Sequence, residues 1–571
     1  MQEHTSSGRR ILAARWATLA AVGLGAGSAF ACGGSRTVVL ANAPSVPRTQ
    51  AERTGYRETS THAHVMAFVD SLTRLGRPIF TGSIGRTTEG REIPFLVVSR
   101  PLFGTPEAAR QSGRPIVYVQ GNIHAGEVEG KEALQALVRD LLMDPRPNIL
   151  DSIVLIAVPI YNADGNERFA PQARNRGSQN GPEMVGQRPN AQGLDLNRDY
   201  MKAVAPETRA SLAMFNRWDP HVFVDLHTTN GSYHGYNLTY SPSLNPAAEL
   251  AGATFGGAWA RDSLLPALQQ RVQARHQVKT FPYGNFPGRG GGTPTRWQTY
   301  EHVPRFGTNY YALRGRISVL SEAYSHDPFE TRVRATYAFV RELLSLVNER
   351  RGAILALTRR ADAALRAGPA GVPPIPLRAQ LTTTPYTAEV VYEEIERQQG
   401  DTTRHQAGMP PGARRTGRFR AVQMQVFDRF TPTLTRPLPW GWAIAAGDTS
   451  ALQLVRQHGV VVERLGTPWS GDAGPQFTVD SAVIAAQPFQ ERRLVRLVGR
   501  WESGRTANLA AGTWIVRSAQ PLGVLAAYLL EPESDDGVVA WDVGGRSANG
   551  PGPAPIVRLA QPLPGPLDRS P

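Results

Sequence analysis

One cysteine, Cys32, stands in the 571 residues, so no disulfide can form within the chain. Lysine is nearly as scarce: Lys131, Lys202 and Lys279 are the whole complement, and arginine carries the positive charge. The formal charge is +14, yet no dense basic block stands anywhere along the chain, so no nucleic-acid partner is expected. No motif recurs at a fixed period. Long apolar runs are missing as well. The one candidate, from Trp16 to Ala31, is too short and too rich in Gly and Ala to make a good membrane span. What is present is globular in character, with 41% hydrophobic and 8% aromatic residues. The length exceeds what a single core supports, and two or more domains are expected.

The first segment reads as an address. Arg9-Arg10 precede the apolar run, and Ala29-Phe30-Ala31-Cys32-Gly33 resembles a bacterial lipoprotein cleavage box, with Ala29 where leucine is usual. Residues 1–32 are expected to be an export signal, with Cys32 the acyl acceptor; ordinary cleavage after Ala31 is the alternative. The protein is then expected in the periplasm, on the outer envelope or secreted, touching membrane only through Cys32. Residues 33–60 read as an irregular tether. Residues 61–366 alternate apolar runs with amphipathic stretches. Strands are expected at Pro115–Gln120, Ile153–Val158, His221–Leu226 and Ile317–Leu320, and helices at Glu127–Leu142 and Pro328–Leu365. That alternation predicts an α/β fold, a mixed sheet flanked by helices. Residues 367–376, rich in Pro and Gly, read as a linker. Residues 377–547 change to short β-type runs separated by turns, as in an all-β domain, with a short helix at 523–530. Residues 548–571 read as a loose tail.

The chemistry concentrates in three short segments. Gly-Asn-Ile-His124-Ala-Gly-Glu127 sets a histidine and a glutamate three apart where a strand gives way to a helix. In α/β sheets that carboxyl end is where ligands bind. Alone, the pair is equally a helix cap beside a surface histidine. Val-Asp225-Leu-His227 adds a second imidazole at the end of another strand, and Leu-Asp195-Leu-Asn197-Arg198 adds an asparagine–arginine pair suited to an anionic substrate end. Two imidazoles and a carboxylate are the three protein ligands of a catalytic zinc site with one position open. His234, His302 and His326 are expected to be solvated or hydrogen-bonded loop residues, not ligands.

Four patterns, in order, resemble the zinc carboxypeptidase family: His124-Ala-Gly-Glu127, Pro159-Ile-Tyr-Asn162-Ala-Asp164-Gly165, Gly193-Leu-Asp195-Leu-Asn197-Arg198 and Leu320-Ser-Glu322-Ala-Tyr. The resemblance covers residues 61–365 or so. It implies one Zn²⁺ per chain on His124, Glu127 and His227, with Glu322 as general base and proton donor to the leaving amine. It also implies that Asp195 orients His124, with Asp225 a rival for such a role, and that Asn197 and Arg198 grip the C-terminal carboxylate of a peptide. An oxyanion-stabilising arginine falls by register on Arg176, with Arg174 its rival. A tyrosine closing over the substrate falls on Tyr300, with Tyr310 and Tyr311 as nearer substitutes and Tyr310 as a substrate contact. The expected activity is zinc-dependent release of C-terminal residues from peptides by a monomer. The alternatives are a murein-peptide hydrolase or a deacylase of amino-acid amides on the same site. A binding protein that has lost catalysis is disfavoured, because no ligand and no base is missing. The segment after His227, Thr-Thr-Asn-Gly-Ser-Tyr-His234, departs from the pancreatic enzymes, which leaves the side-chain specificity open. A labelled fatty acid fed to the producing cells is expected to be incorporated into the protein and lost in Cys32→Ser; equal labelling of both would exclude the anchor.

Overall fold

The computed structural model describes residues 46–249, 256–287, 293–403, 409, 411–545, 550–565 and 567–569. The export signal, Cys32 and the first part of the tether lie outside the described residues. The rest of the expected tether, residues 46–60, has little regular structure but is fastened to the fold. A capping box of Thr49 and Glu52 opens a short helix at Gln50–Arg53. Glu52 pairs with Arg139, and the Ser60 carbonyl accepts from the buried Lys131 ammonium. Ser60 and Thr59 also donate to the buried Glu132 carboxylate. Buried charges persist only when paired in this way, so the segment is fastened to the fold.

Eight strands form the central sheet: β1 Ile79–Arg86, β2 Glu92–Val98, β3 Ile116–Gly121, β4 Val154–Val158, β5 Val222–Thr228, β6 Leu238–Pro242, β7 Thr280–Pro282 and β8 Ile317–Ala323. They lie in the order β1-β2-β4-β3-β5-β8-β6-β7. The four in the middle, β4, β3, β5 and β8, run parallel, while β1, β2 and β6 pair antiparallel to their inner neighbours. The sheet is therefore mixed. Its parallel strands are buried along their whole length because both faces are covered, and their polar residues gather toward the carboxyl ends. Along β3, Val117 and Val119 meet the helix residues Leu134, Leu137 and Phe339, while Tyr118 on the opposite face meets Phe215 and Tyr311.

Helix α1, Glu129–Met143, buries the stripe Leu134, Leu137, Val138 and Leu141 against the sheet. The single helix expected over 328–365 is two, α2 Phe329–Glu349 and α3 Arg351–Arg366, broken at Arg350 with φ −101° and ψ 17°. The break lets the chain change faces. Phe339, Leu343 and Val347 belong to one core, and Ala361 and Leu365 to the other.

After residue 374 the chain is mostly strands in several small sheets, with helices at Thr449–Gln457 and Gly523–Leu530. The strand-rich expectation holds, and the first of these helices is an addition to it. Its Val455, with Trp442, Leu525 and Trp541, packs in one continuous cluster with Tyr118, Phe215 and Tyr310 of the α/β part. Residues 46–571 accordingly form one compact unit, and Ile375, at the end of the expected linker, is 1% exposed. The Trp440–Trp442 pair serves packing: Trp442 is buried and donates its indole N–H to Glu531 at 2.9 Å. No helix among the described residues is long and apolar enough to cross a membrane.

Candidate metal centre and substrate cleft

His124 stands in the turn between β3 and α1. Asn122, in the left-handed region at φ 66°, reverses the chain, and its side-chain amide donates to the Ala125 and Glu127 carbonyls. Glu127 N–H returns to the His124 carbonyl at 2.9 Å, so the two side chains project together. Gly126 must be glycine: a Cβ there would lie 2.6 Å from Arg176 Cγ and 2.9 Å from the Gly186 carbonyl. His227, the last residue but one of β5, is the register partner of Glu322 on the parallel β8. Adjacent parallel strands lie ~4.8 Å apart, so His227 and Glu322 emerge side by side from the carboxyl edge of the sheet.

His124 Nδ1 and His227 Nδ1 each lie 3.0 Å from a different oxygen of Glu127. The ligand atoms of the three residues fall within 4.8 Å of one another, and all three side chains are buried. The far side of each ring meets a carboxylate. His124 Nε2 contacts Asp195 Oδ1 at 3.0 Å, and His227 Nε2 lies 2.9 Å from Asp225 Oδ2. Such outer carboxylates fix the tautomer and present Nδ1 to a metal. Two nitrogens, one carboxylate and a backing acid for each ring are a donor set that fits Zn²⁺. Asp225 and Asp195 are thus not rivals: each backs one histidine. Asp225 is held in turn by the side chain of Gln120 at 3.1 Å. Burial opposes charge on Asp195, but His124, Arg188 and Arg198 hold it well below the usual carboxylate range. Glu322 is 9% exposed, and burial, reinforced by Glu127, pushes its carboxyl up to about 8.

Three arginines gather here. Arg176 donates to Glu127 Oε1 at 2.9 Å and to the Thr228 and Thr229 carbonyls at 3.1 and 3.0 Å. Its head is bonded to the metal cluster and also acts electrostatically on Glu322. Arg174 is neither buried nor bonded into the cluster. Arg188, unremarked in the sequence, bridges Asp195 at 3.0 Å and Glu127 at 3.4 Å, keeps 38% of its side chain exposed, and acts electrostatically with Glu322. Asp195 caps the turn Leu196–Arg198 by accepting from Asn197 N–H. In that turn Asn197 accepts from Gly307 N–H at 2.8 Å, and Arg198 lies 3.9 Å over the Phe306 ring. Burial lowers the Arg198 pKa, and neighbouring Arg188 and Arg305 add to this despite Asp195.

The tyrosines separate. Tyr300 packs against Tyr283 at 5.6 Å and Phe306 at 5.1 Å, and both phenols feel the Glu322 charge. Tyr283 carried no signal in the sequence. Tyr310 is fully buried, stacked on Tyr200, and hydrogen-bonded to His458 Nδ1 at 2.7 Å, so it is no substrate contact. Tyr311 is buried with it, 2.7 Å from Ser211. His234, His302 and His326 stand outside the cluster, and all three are buried and hydrogen-bonded rather than solvated.

Residues 66–285 match the family model for zinc carboxypeptidases, Peptidase_M14. The chain carries a zinc carboxypeptidase domain. Carboxypeptidase 2 of Trichophyton rubrum is 21% identical over 483 residues, which are 80% of this chain and 79% of that protein. Probable carboxypeptidase 2 of Arthroderma benhamiae is 27% identical over 144 residues, 25% of this chain and 24% of the relative, so that match spans about a quarter of the relative's length. A metallo-carboxypeptidase structure from Burkholderia cenocepacia aligns at 16% identity and a TM-score of 0.37, covering 51% of this chain and 70% of that one. Tyr310→Phe is expected to leave kcat/KM within about twofold of wild type and to cost about 1 kcal/mol of stability, the net worth of one buried hydrogen bond. A large loss of turnover at unchanged stability would return Tyr310 to the substrate site.

Proposed function

We propose that this chain is an exported zinc carboxypeptidase that releases C-terminal residues from peptides with a free carboxylate. The observation that supports this most is the convergence of His124, Glu127 and His227 beside Glu322, with the Asn197–Arg198 turn across the cleft. His124, Glu127 and His227 would hold one Zn²⁺. Bound zinc supplies Lewis acidity to the scissile carbonyl and makes water acidic enough to ionise near neutrality.

The protein's own groups do the rest. Glu322 accepts a proton from the attacking water and delivers it to the leaving amine. Arg198 and Asn197 bind the terminal carboxylate, for which a planar guanidinium offers two parallel bonds. Burial is the main influence on Arg198, and an anionic partner would offset that cost. For the oxyanion we favour Arg188, whose side chain is 38% exposed beside Glu127 and Asp195, with Arg176 as the alternative, since both guanidinium groups act on Glu322. Tyr300 and Tyr283 wall the side nearest the base and limit water. Export and a lipid anchor at Cys32 would set this activity at the cell envelope.

Purified protein is expected to release C-terminal residues from free peptides and to leave amidated peptides uncut. Glu322→Gln is expected to lose at least ~1000-fold in kcat, the upper range for a base that is also the acid, while keeping its zinc. Equal cleavage of free and amidated peptides would favour the deacylase or endopeptidase alternative. Full turnover by Glu322→Gln would contradict the mechanism.

A further inference from the structure

The turn that carries Asn197 and Arg198 is held from far away in the chain. A residue that caps a turn uses its side chain and carbonyl inward and leaves its own N–H without a partner in the turn. The N–H of Asp195 is met by the side-chain oxygen of Gln490, 2.8 Å away and 295 residues distant in sequence. Gln490 sits at the tip of a two-residue hairpin closed by mutual hydrogen bonds between Phe489 and Arg492 at 2.7 and 3.1 Å. Both tip residues, Gln490 at φ 50° and Glu491 at φ 63°, are left-handed. Hairpins of this kind take Asn or Gly at such positions. Gln-Glu is a poor choice for the backbone, so the turn is not what Gln490 serves.

The hairpin's base is fixed. Phe489 stacks on Trp541 at 6.2 Å, and Trp541 N–H donates to Asp536 at 2.7 Å. Asp536 also accepts the Arg305 main-chain N–H at 2.6 Å, and the Arg305 side chain lies 4.8 Å over Trp541. The strained tip is thus carried on a packed platform and aimed at Asp195. Non-glycine residues persist in the left-handed region where the surroundings impose it, often at functional sites.

We propose that Gln490 is a positioning residue of the catalytic centre: it fixes the main chain of Asp195, and through it the ring of His124 and the Asn197–Arg198 turn. The strand-rich C-terminal region is then part of the active site and not an appendage. This rests on the reading that His124, Glu127 and His227 hold zinc.

Glycine separates the two roles Gln490 could have. Gln490→Gly suits the left-handed backbone but removes the contact to Asp195. In the full chain it is expected to keep or raise Tm, while zinc is lost to a chelator about tenfold faster and kcat/KM falls about tenfold, the low end of the effect of removing an outer support of a metal ligand. Glu491→Gly, at the same tip without a bond to the centre, is expected to match wild type in both. Zinc retention and kcat/KM of Gln490→Gly within twofold of wild type would overturn the proposal, as would equal losses in both variants. Wild-type protein that keeps zinc but cuts no peptide would count against the carboxypeptidase reading and not against this one, since the chelator measurement needs no substrate.

Discussion

The carboxylate of Glu127 is the constraint around which the rest is arranged. Its two oxygens face two histidines at 3.0 Å each, and it is wholly buried at the carboxyl edge of the sheet. A buried charge is tolerated only with partners. Arg176, Arg188 and the Thr228 N–H supply them. Each histidine then needs its far nitrogen held, and Asp195 and Asp225 do that. Asp195 needs its own main chain held, and Gln490 reaches in from the strand-rich region. The site is a chain of obligations that begins at one carboxylate and ends in a different part of the sequence.

That sequence of supports explains why the C-terminal region shares a core with the α/β part. A segment that only tethered a domain could hang from residues 367–376. Here Trp541 and Val455 lie in the same cluster as Tyr118 and Phe215, and Tyr310 of the α/β part bonds His458. A continuous apolar core of this kind resists hinge motion, because separating it would expose large apolar area. Trp541, on which the hairpin of Gln490 rests through Phe489, belongs to that core.

Much of the sheet was legible because β3, β4, β5 and β8 are buried on both faces and are mostly apolar, with polar residues toward their carboxyl ends. The edge strands were not: β1 is half-exposed and carries Gly82 and Gly85, and β7 is three residues long. The helix over 328–365 hid its break because a helical stripe continues on both sides of Arg350, and only the change of core shows the turn. Metal ligands were readable from strand ends and spacing. The Asp225–His227 pair was readable too, since residues two apart share a strand face. Arg188 was not legible because it lies outside the paired-arginine pattern at residues 173–176 and reaches Asp195 and Glu127 only in the folded chain. Tyr310 misled because adjacent tyrosines near Glu322 say nothing about which face each takes. Gln490 left no trace, since no local pattern links residues 295 positions apart.

Zinc titration of the metal-free full chain tests the central claim most directly. The account predicts one tight site per chain, lost in His227→Gln with the fold retained. Zinc binding of equal strength and stoichiometry in His227→Gln would contradict it, because the cluster of His124, Glu127 and His227 would then not be what holds the metal.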